Sequence, residues 1–98
     1  VYKRQNIYDT AVAKGAKVTL IAEDTVTNEK EFIEFGVTDD GSNIFHTEYG
    51  NLRTDYQIVV PSFEYTATNE ARLNFTLGAN VPATNSIKIT ISSTITKK

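Results

Sequence analysis

The sequence predicts an all-β fold, an antiparallel β-sandwich of about seven strands, immunoglobulin-like or jelly-roll-like. Three observations predict it. Thr (14), Asn (8) and Ser (5) supply 27 of the 98 residues; branched Thr packs well on a pleated surface, and Asn satisfies nearby backbone groups in turns. Apolar residues recur with a period of two in several segments, and clusters of Gly, Asp, Asn and Pro separate those segments. No stretch carries apolar residues at i, i+3, i+4 and i+7 for two full turns, so helix has no comparable signal.

Taken in order, a short extended entry spans Ile7 to Val12. From Ala16 to Val26, Val18, Leu20 and Ala22 share one face and Lys17, Thr19 and Glu23 the other, with Ile21 as the exception. From Glu29 to Thr38, Ile33, Phe35 and Val37 alternate with Glu34 and Thr38. The run Asp39-Asp40-Gly41-Ser42-Asn43 reads as a turn, with Gly41 free to adopt positive φ, so Ile44 to Leu52 returns antiparallel. Tyr56 to Tyr65 is extended but contains Pro61, which lacks an N–H and belongs at a sheet edge, bulge or strand switch. In Asn69 to Leu77, Ala71, Leu73, Phe75 and Leu77 oppose Arg72, Asn74 and Thr76. A turn-rich loop, Gly78 to Asn85, leads to Ser86 to Thr96, where Ile87, Ile89 and Ile91 oppose Lys88, Thr90 and Ser92. This last segment is long, regular and poor in charge, so it is either central in its sheet or paired with another chain.

At this length one hydrophobic core is the ceiling, and residues 1–98 read as a single module. A start at Val1 without any methionine suggests a segment of a larger chain. With no cysteine there is no disulfide framework, thiolate metal site or thiol nucleophile. Ten basic and twelve acidic residues are interspersed, which argues against nucleic acid as a partner. No apolar run is long enough for membrane insertion.

Candidate chemistry is sparse. His46 is the single histidine, with no Cys and no strained Ser elbow to complete a triad, so it reads as a surface or half-buried strand residue. Zinc would need several His or Cys ligands. Asp39, Asp40, Ser42 and Asn43 supply hard oxygen ligands, but without the twelve-residue EF-hand pattern; the conformational turn is the primary reading and calcium the alternative. No pair of carboxylates is singled out for glycoside hydrolysis. The one local cluster to nominate for catalysis is Asp39, Asp40, His46 and Glu48. No catalytic residue, metal or cofactor is therefore expected. The tyrosines Tyr2, Tyr8, Tyr49, Tyr56 and Tyr65 join five Phe, and Phe63 shares a face with Tyr65 such that the two plug an end of the sandwich. An interaction surface, if aromatic, would use Tyr49, Tyr56, Phe63 and Tyr65. No glycine-rich phosphate loop occurs.

Two stretches, Gly15-Ala16-Lys17-Val18-Thr19-Leu20-Ile21 and Phe35-Gly36-Val37-Thr38-Asp39-Asp40-Gly41-Ser42-Asn43-Ile44-Phe45-His46-Thr47-Glu48-Tyr49-Gly50, carry a resemblance. The chain resembles the β-rich modules repeated in virion structural proteins of T4-like marine cyanophages. Those modules have a "SAK" entry strand, a strand ending in "HDGT", a "TEYG" strand, a "GGNVRLLVTP" segment and a β-branched closing strand. Asn69 to Thr76 and Ile87 to Ile91 occupy the last two places, so the resemblance runs from about Asp9 to Ile95. The chain departs from the pattern at Thr38, where the family has His, and at Thr68-Asn69-Glu70-Ala71, where it has paired Gly.

The resemblance implies a non-catalytic virion module of a tail, neck, fibre or capsid decoration. It would fold in the bacterial host cytoplasm and contact other virion subunits as a homo-oligomer or multi-subunit assembly. The alternative is an extracellular adhesion or carbohydrate-binding sandwich using the four aromatics named above.

Overall fold

The computed structural model describes residues 3–98, and Tyr2 lies outside them. It is an all-β sandwich of seven strands: β1 (Lys3–Asp9), β2 (Ala13–Asp24), β3 (Glu29–Asp39), β4 (Ile44–Arg53), β5 (Val59–Tyr65), β6 (Glu70–Leu77) and β7 (Ile87–Lys97). A four-stranded sheet in the order β4-β3-β2-β7 faces a three-stranded sheet in the order β1-β6-β5, and every pairing is antiparallel.

The alternation read from the sequence becomes the core. Val18, Leu20 and Ala22 of β2 and Ile33, Phe35 and Val37 of β3 are buried against Ala71, Leu73 and Phe75 of β6, with Tyr8, Ile58, Val59 and Ile87 closing the ends. Each large side chain in this set contributes about 1.5–3 kcal/mol by leaving water. Ile21, the exception in its segment, points out through the opposite face of the four-stranded sheet and is exposed.

Turn chemistry sets the register. At the β2–β3 hairpin Asn28 has φ 63° and the Asp24 carboxylate accepts the amides of Val26 and Thr27. At the β3–β4 hairpin Gly41 has φ 92°, a left-handed conformation that glycine adopts without steric cost. There the Asp40 carboxylate accepts the amides of Ser42 and Asn43. At β5–β6 Asn69 has φ 62°, which begins β6 at Glu70, one residue later than the alternation suggests.

Three strands shift further. The strand expected from Ala16 to Val26 is Ala13–Asp24, because the Asp24 carboxylate accepts the Val26 amide and starts the turn there. The entry strand expected at Ile7 to Val12 is Lys3–Asp9, because the Asp9 carboxylate accepts the Ala11 amide and turns the chain. The segment expected to start at Tyr56 enters the sheet only at Val59, because the Tyr56 side chain is bonded to the β2–β3 end. Pro61 lies on β5, an edge strand, in keeping with its missing N–H.

The three-stranded sheet is the smaller layer, and it covers the two central strands β2 and β3 of its partner. Both outer strands of the larger sheet, β4 and β7, are consequently half open: nothing in β4 is fully buried, and β7 is exposed from Ser92 onward. The closing strand thus takes an edge position, paired with β2 alone.

Candidate functional site

The outer face of the four-stranded sheet presents the largest run of exposed apolar side chains. On β4, Phe45 is 53% exposed, Tyr49 55% and Leu52 71%. Register explains their common direction. Residues opposite one another share a face, and Phe45 lies opposite Thr38 and Leu52 opposite Phe32, both on the side of β3 away from Ile33, Phe35 and Val37. A register shift between Glu34 and Phe35 adds one residue to β4, and Tyr49 sits at that bulge.

Gly36 makes room for the Tyr49 ring. A Cβ at Gly36 would stand 3.2 Å from Tyr49 Cε1, so glycine lets the ring lie flat across the neighbouring strand. Beside it an open depression of ≈ 700 Å³ is lined by Phe45, Thr47, Gly36 and Lys17. Further along, Ile21, Phe32, Leu52 and Thr54 line a smaller one of ≈ 240 Å³. Exposed apolar side chains gathered on one sheet face suit contact with another surface.

The four aromatics named from the sequence are not gathered into one platform. Tyr49 is on the outer face. Tyr56 is half-buried at one end, donating to Asp24 Oδ2 at 2.9 Å and bonded to Thr27 Oγ1 at 2.8 Å. Phe63 lies between the sheets, edge-on to Phe35 at 5.1 Å and stacked on His46 at 4.4 Å. Tyr65 is half-buried at the other end, where its hydroxyl meets Thr10 Oγ1 at 3.1 Å and donates to Asn69 Oδ1. Phe45 and Leu52 complete the exposed set that contains Tyr49, and sequence reasoning missed both. Their signal was present: they fall on the polar register of a hairpin whose inward register is fixed by Ile33, Phe35 and Val37.

The nominated polar cluster is spread out along the β3–β4 hairpin. Asp39 accepts the Tyr8 hydroxyl on Oδ1 at 2.7 Å and the Gly41 amide on Oδ2 at 3.0 Å. The amides of Asn43 and Ser42 hold the Asp40 carboxyl below its ordinary pKa. His46 is exposed and stacked on Phe63. These carboxylates shape the turn and tie the sheets. Among the described residues no group of three or more His, Asp or Glu is placed to hold a metal ion.

Two buried acids stood unremarked in the sequence, each on an apolar register. Asp24 continues the Val18, Leu20, Ala22 parity, and Glu31 precedes Ile33 and Phe35 on theirs. Burial pushes the Asp24 pKa up, but hydrogen bonds from Asn85, Tyr56 and the amides of Val26 and Thr27 outweigh it and leave the group below its ordinary value. Glu31 Oε1 accepts the amides of Ile58 (3.0 Å) and Val59 (3.2 Å), and its Oε2 accepts Arg53 Nε at 2.8 Å. Together they pin the entry to β5 and the loop before β7 onto the larger sheet.

No family model, curated protein or solved structure matches the chain.

Proposed function

We propose that this chain is a non-catalytic structural module of a bacteriophage virion, in a tail, neck, fibre or capsid decoration, acting through contacts with other virion subunits. The observation that carries the contact role is the outer face of the four-stranded sheet, where Phe45, Tyr49, Leu52 and Ile21 stand in solvent. Support for the virion setting comes from the resemblance in sequence, whose Thr47-Glu48-Tyr49-Gly50 segment lies on the strand that presents this face. The non-catalytic reading is supported by the use of the Asp39 and Asp40 carboxylates as acceptors for turn amides and for Tyr8.

The test is a double variant, Phe45→Ser with Tyr49→Ser, introduced into the protein in its phage. Both side chains are more than half exposed, so the fold and melting temperature are retained while incorporation into particles falls. Incorporation at the unmodified level overturns the reading. A glycan array run with both proteins separates the adhesion alternative: specific glycan binding lost in the variant replaces the assembly role with a carbohydrate-binding one. A hydrolase screen yielding turnover that vanishes on mutating one carboxylate removes the non-catalytic assignment.

A further inference from the structure

Four strand edges are open in this sandwich, and three are guarded. β5 carries Pro61. The Gly78 amide donates to the Ile58 carbonyl, so even-numbered residues of β5 bond to β6 and Pro61 falls on the free side, where it removes a donor. β4 carries a bulge, and on the core-side register of its free edge it places His46, Glu48 and Arg53. β1 carries a bulge between Asn6 and Tyr8. β7 is the least guarded: from Ile87 to Thr96 its pairing with β2 is regular, without proline and without a charge on the inward register, and the one inward charge, Lys97, and the one register shift lie at its last residue.

The direction of its free hydrogen-bonding groups follows from the ladder. Thr25 N–H donates to the Ser86 carbonyl, so even-numbered residues of β7 bond to β2. Ile87, Ile89, Ile91, Ser93 and Ile95 therefore turn their N–H and C=O groups outward. The same five lie opposite Asp24, Ala22, Leu20, Val18 and Ala16, so their side chains share the core face. Ile95 nonetheless remains 41% exposed at this edge.

We infer that the free edge of β7 joins two copies of this chain, antiparallel about a two-fold axis at Ile91. The inference rests on the reading of the chain as a contact module and names one partner and one surface for it. Centred on Ile91, the strand is complementary to itself. Outward-facing residues meet outward-facing residues: Ile91 opposes its own copy, Ile87 opposes the second copy's Ile95, and Ile89 opposes Ser93. Lys88 falls opposite Thr94, so no lysine meets a lysine. The exposed Ile95 is covered by an isoleucine. Both three-stranded sheets then lie on one side of a continuous eight-stranded sheet. Their β1 edges close over the seam of ≈ 160 Å³ now lined by Gln5, Asn6, Ile7, Ile89, Ile91 and Ser93.

Sedimentation velocity between about 10 µM and 1 mM, a range suited to a small edge-to-edge contact, should show mass rising from monomer to dimer. Amide exchange at both ends of that range gives the signature of this edge: Ile89, Ile91 and Ser93 gain protection with concentration, whereas Thr90 and Ser92, already bonded to β2, do not change. Ser93→Pro copies the guard that Pro61 gives β5 and removes no bond to β2. Ile95→Lys, at an exposed site, places a charge against the second copy's Ile87. Each weakens association at least about tenfold, with the β2–β7 amides still protected as proof of folding. A dimer that leaves Ile89, Ile91 and Ser93 unprotected overturns this edge and leaves the contact role standing. A monomer throughout the range overturns the self-pairing, and particle incorporation of the outer-face variant decides the contact role separately.

Discussion

The Tyr8 hydroxyl donates to Asp39 Oδ1 at 2.7 Å, tying β1 of the three-stranded sheet to the end of β3 in the four-stranded one. Few direct contacts join β1 to the larger sheet, so this bond between layers fixes how one end of the sandwich closes. Burial, the bond to Asp39 and the charge of that carboxylate all push the tyrosine pKa above its ordinary 10.0. Tyr8→Phe should cost about 1.5 kcal/mol in denaturant unfolding at neutral pH, the worth of a hydrogen bond to a charged acceptor. In the unmodified protein the unfolded tyrosine ionises first as pH rises. Stability therefore begins to fall above about pH 10, and Tyr8→Phe should shallow that decline.

Glu31 and Arg53 form an ion pair of unequal partners. Glu31 is fully buried and also accepts two amides at the entry to β5, whereas the Arg53 side chain is 39% exposed. Glu31→Ala strands Ile58 and Val59 N–H groups in the core and should cost about 3–5 kcal/mol. Arg53→Ala lets water reach one carboxylate oxygen and should cost only about 1 kcal/mol. Equal losses in thermal or urea unfolding would mean that the backbone amides contribute nothing.

Acid should unfold the protein through Asp24 and Asp40. Both carboxyls lie below their ordinary value of 3.8 in the folded chain. Between the folded and unfolded pKa values the unfolded chain binds more protons, so this stability is complete above about pH 5 and is lost as pH falls below about 4. Asp24→Asn should lower the melting temperature at pH 7, and the difference from the unmodified protein should shrink as pH drops. A difference that grows toward low pH would contradict the sign.

Glycine serves two different needs at Gly78 and Gly41. A Cβ at Gly78, where the chain leaves β6, would overlap the Gln57 carbonyl. Gly78→Ala should therefore cost on the order of 3 kcal/mol. Around Gly41 there is open space, and only its φ of 92° resists a side chain. Gly41→Ala should cost about 1 kcal/mol, and Gly41→Asn less, because Asn tolerates the left-handed region. Urea midpoints for the three variants would rank them.

The sequence already contained the seven strands, the inward sets Val18, Leu20, Ala22 and Ile33, Phe35, Val37, and the turn at Gly41. Period-two burial and turn chemistry are local, and local rules are written residue by residue. Even the discordant Ile21 was legible as an outlier, though its meaning was not. Tyr49, Tyr56, Phe63 and Tyr65 look alike in the chain, yet only Tyr49 reaches solvent on a sheet face. The other three differ because of partners distant in the chain, 55 residues away in one case: Asp24 for Tyr56, Phe35 for Phe63, Thr10 for Tyr65.

The sequence by itself determined a cysteine-free set of alternating strands, because alternation and turn residues act over a few positions. Only the tertiary structure decided which strands became edges. Ser86 to Thr96 reads as a central strand or a paired one, and it became an unguarded edge because β2 had two sides to offer and β3 took the other. Likewise Asp24 and Glu31 stood unremarked in the sequence, and their burial rests on the distant amides and side chains that satisfy them. Strand order and the pairing of buried charges depend on which distant segments meet, and that is settled by packing two sheets into one core.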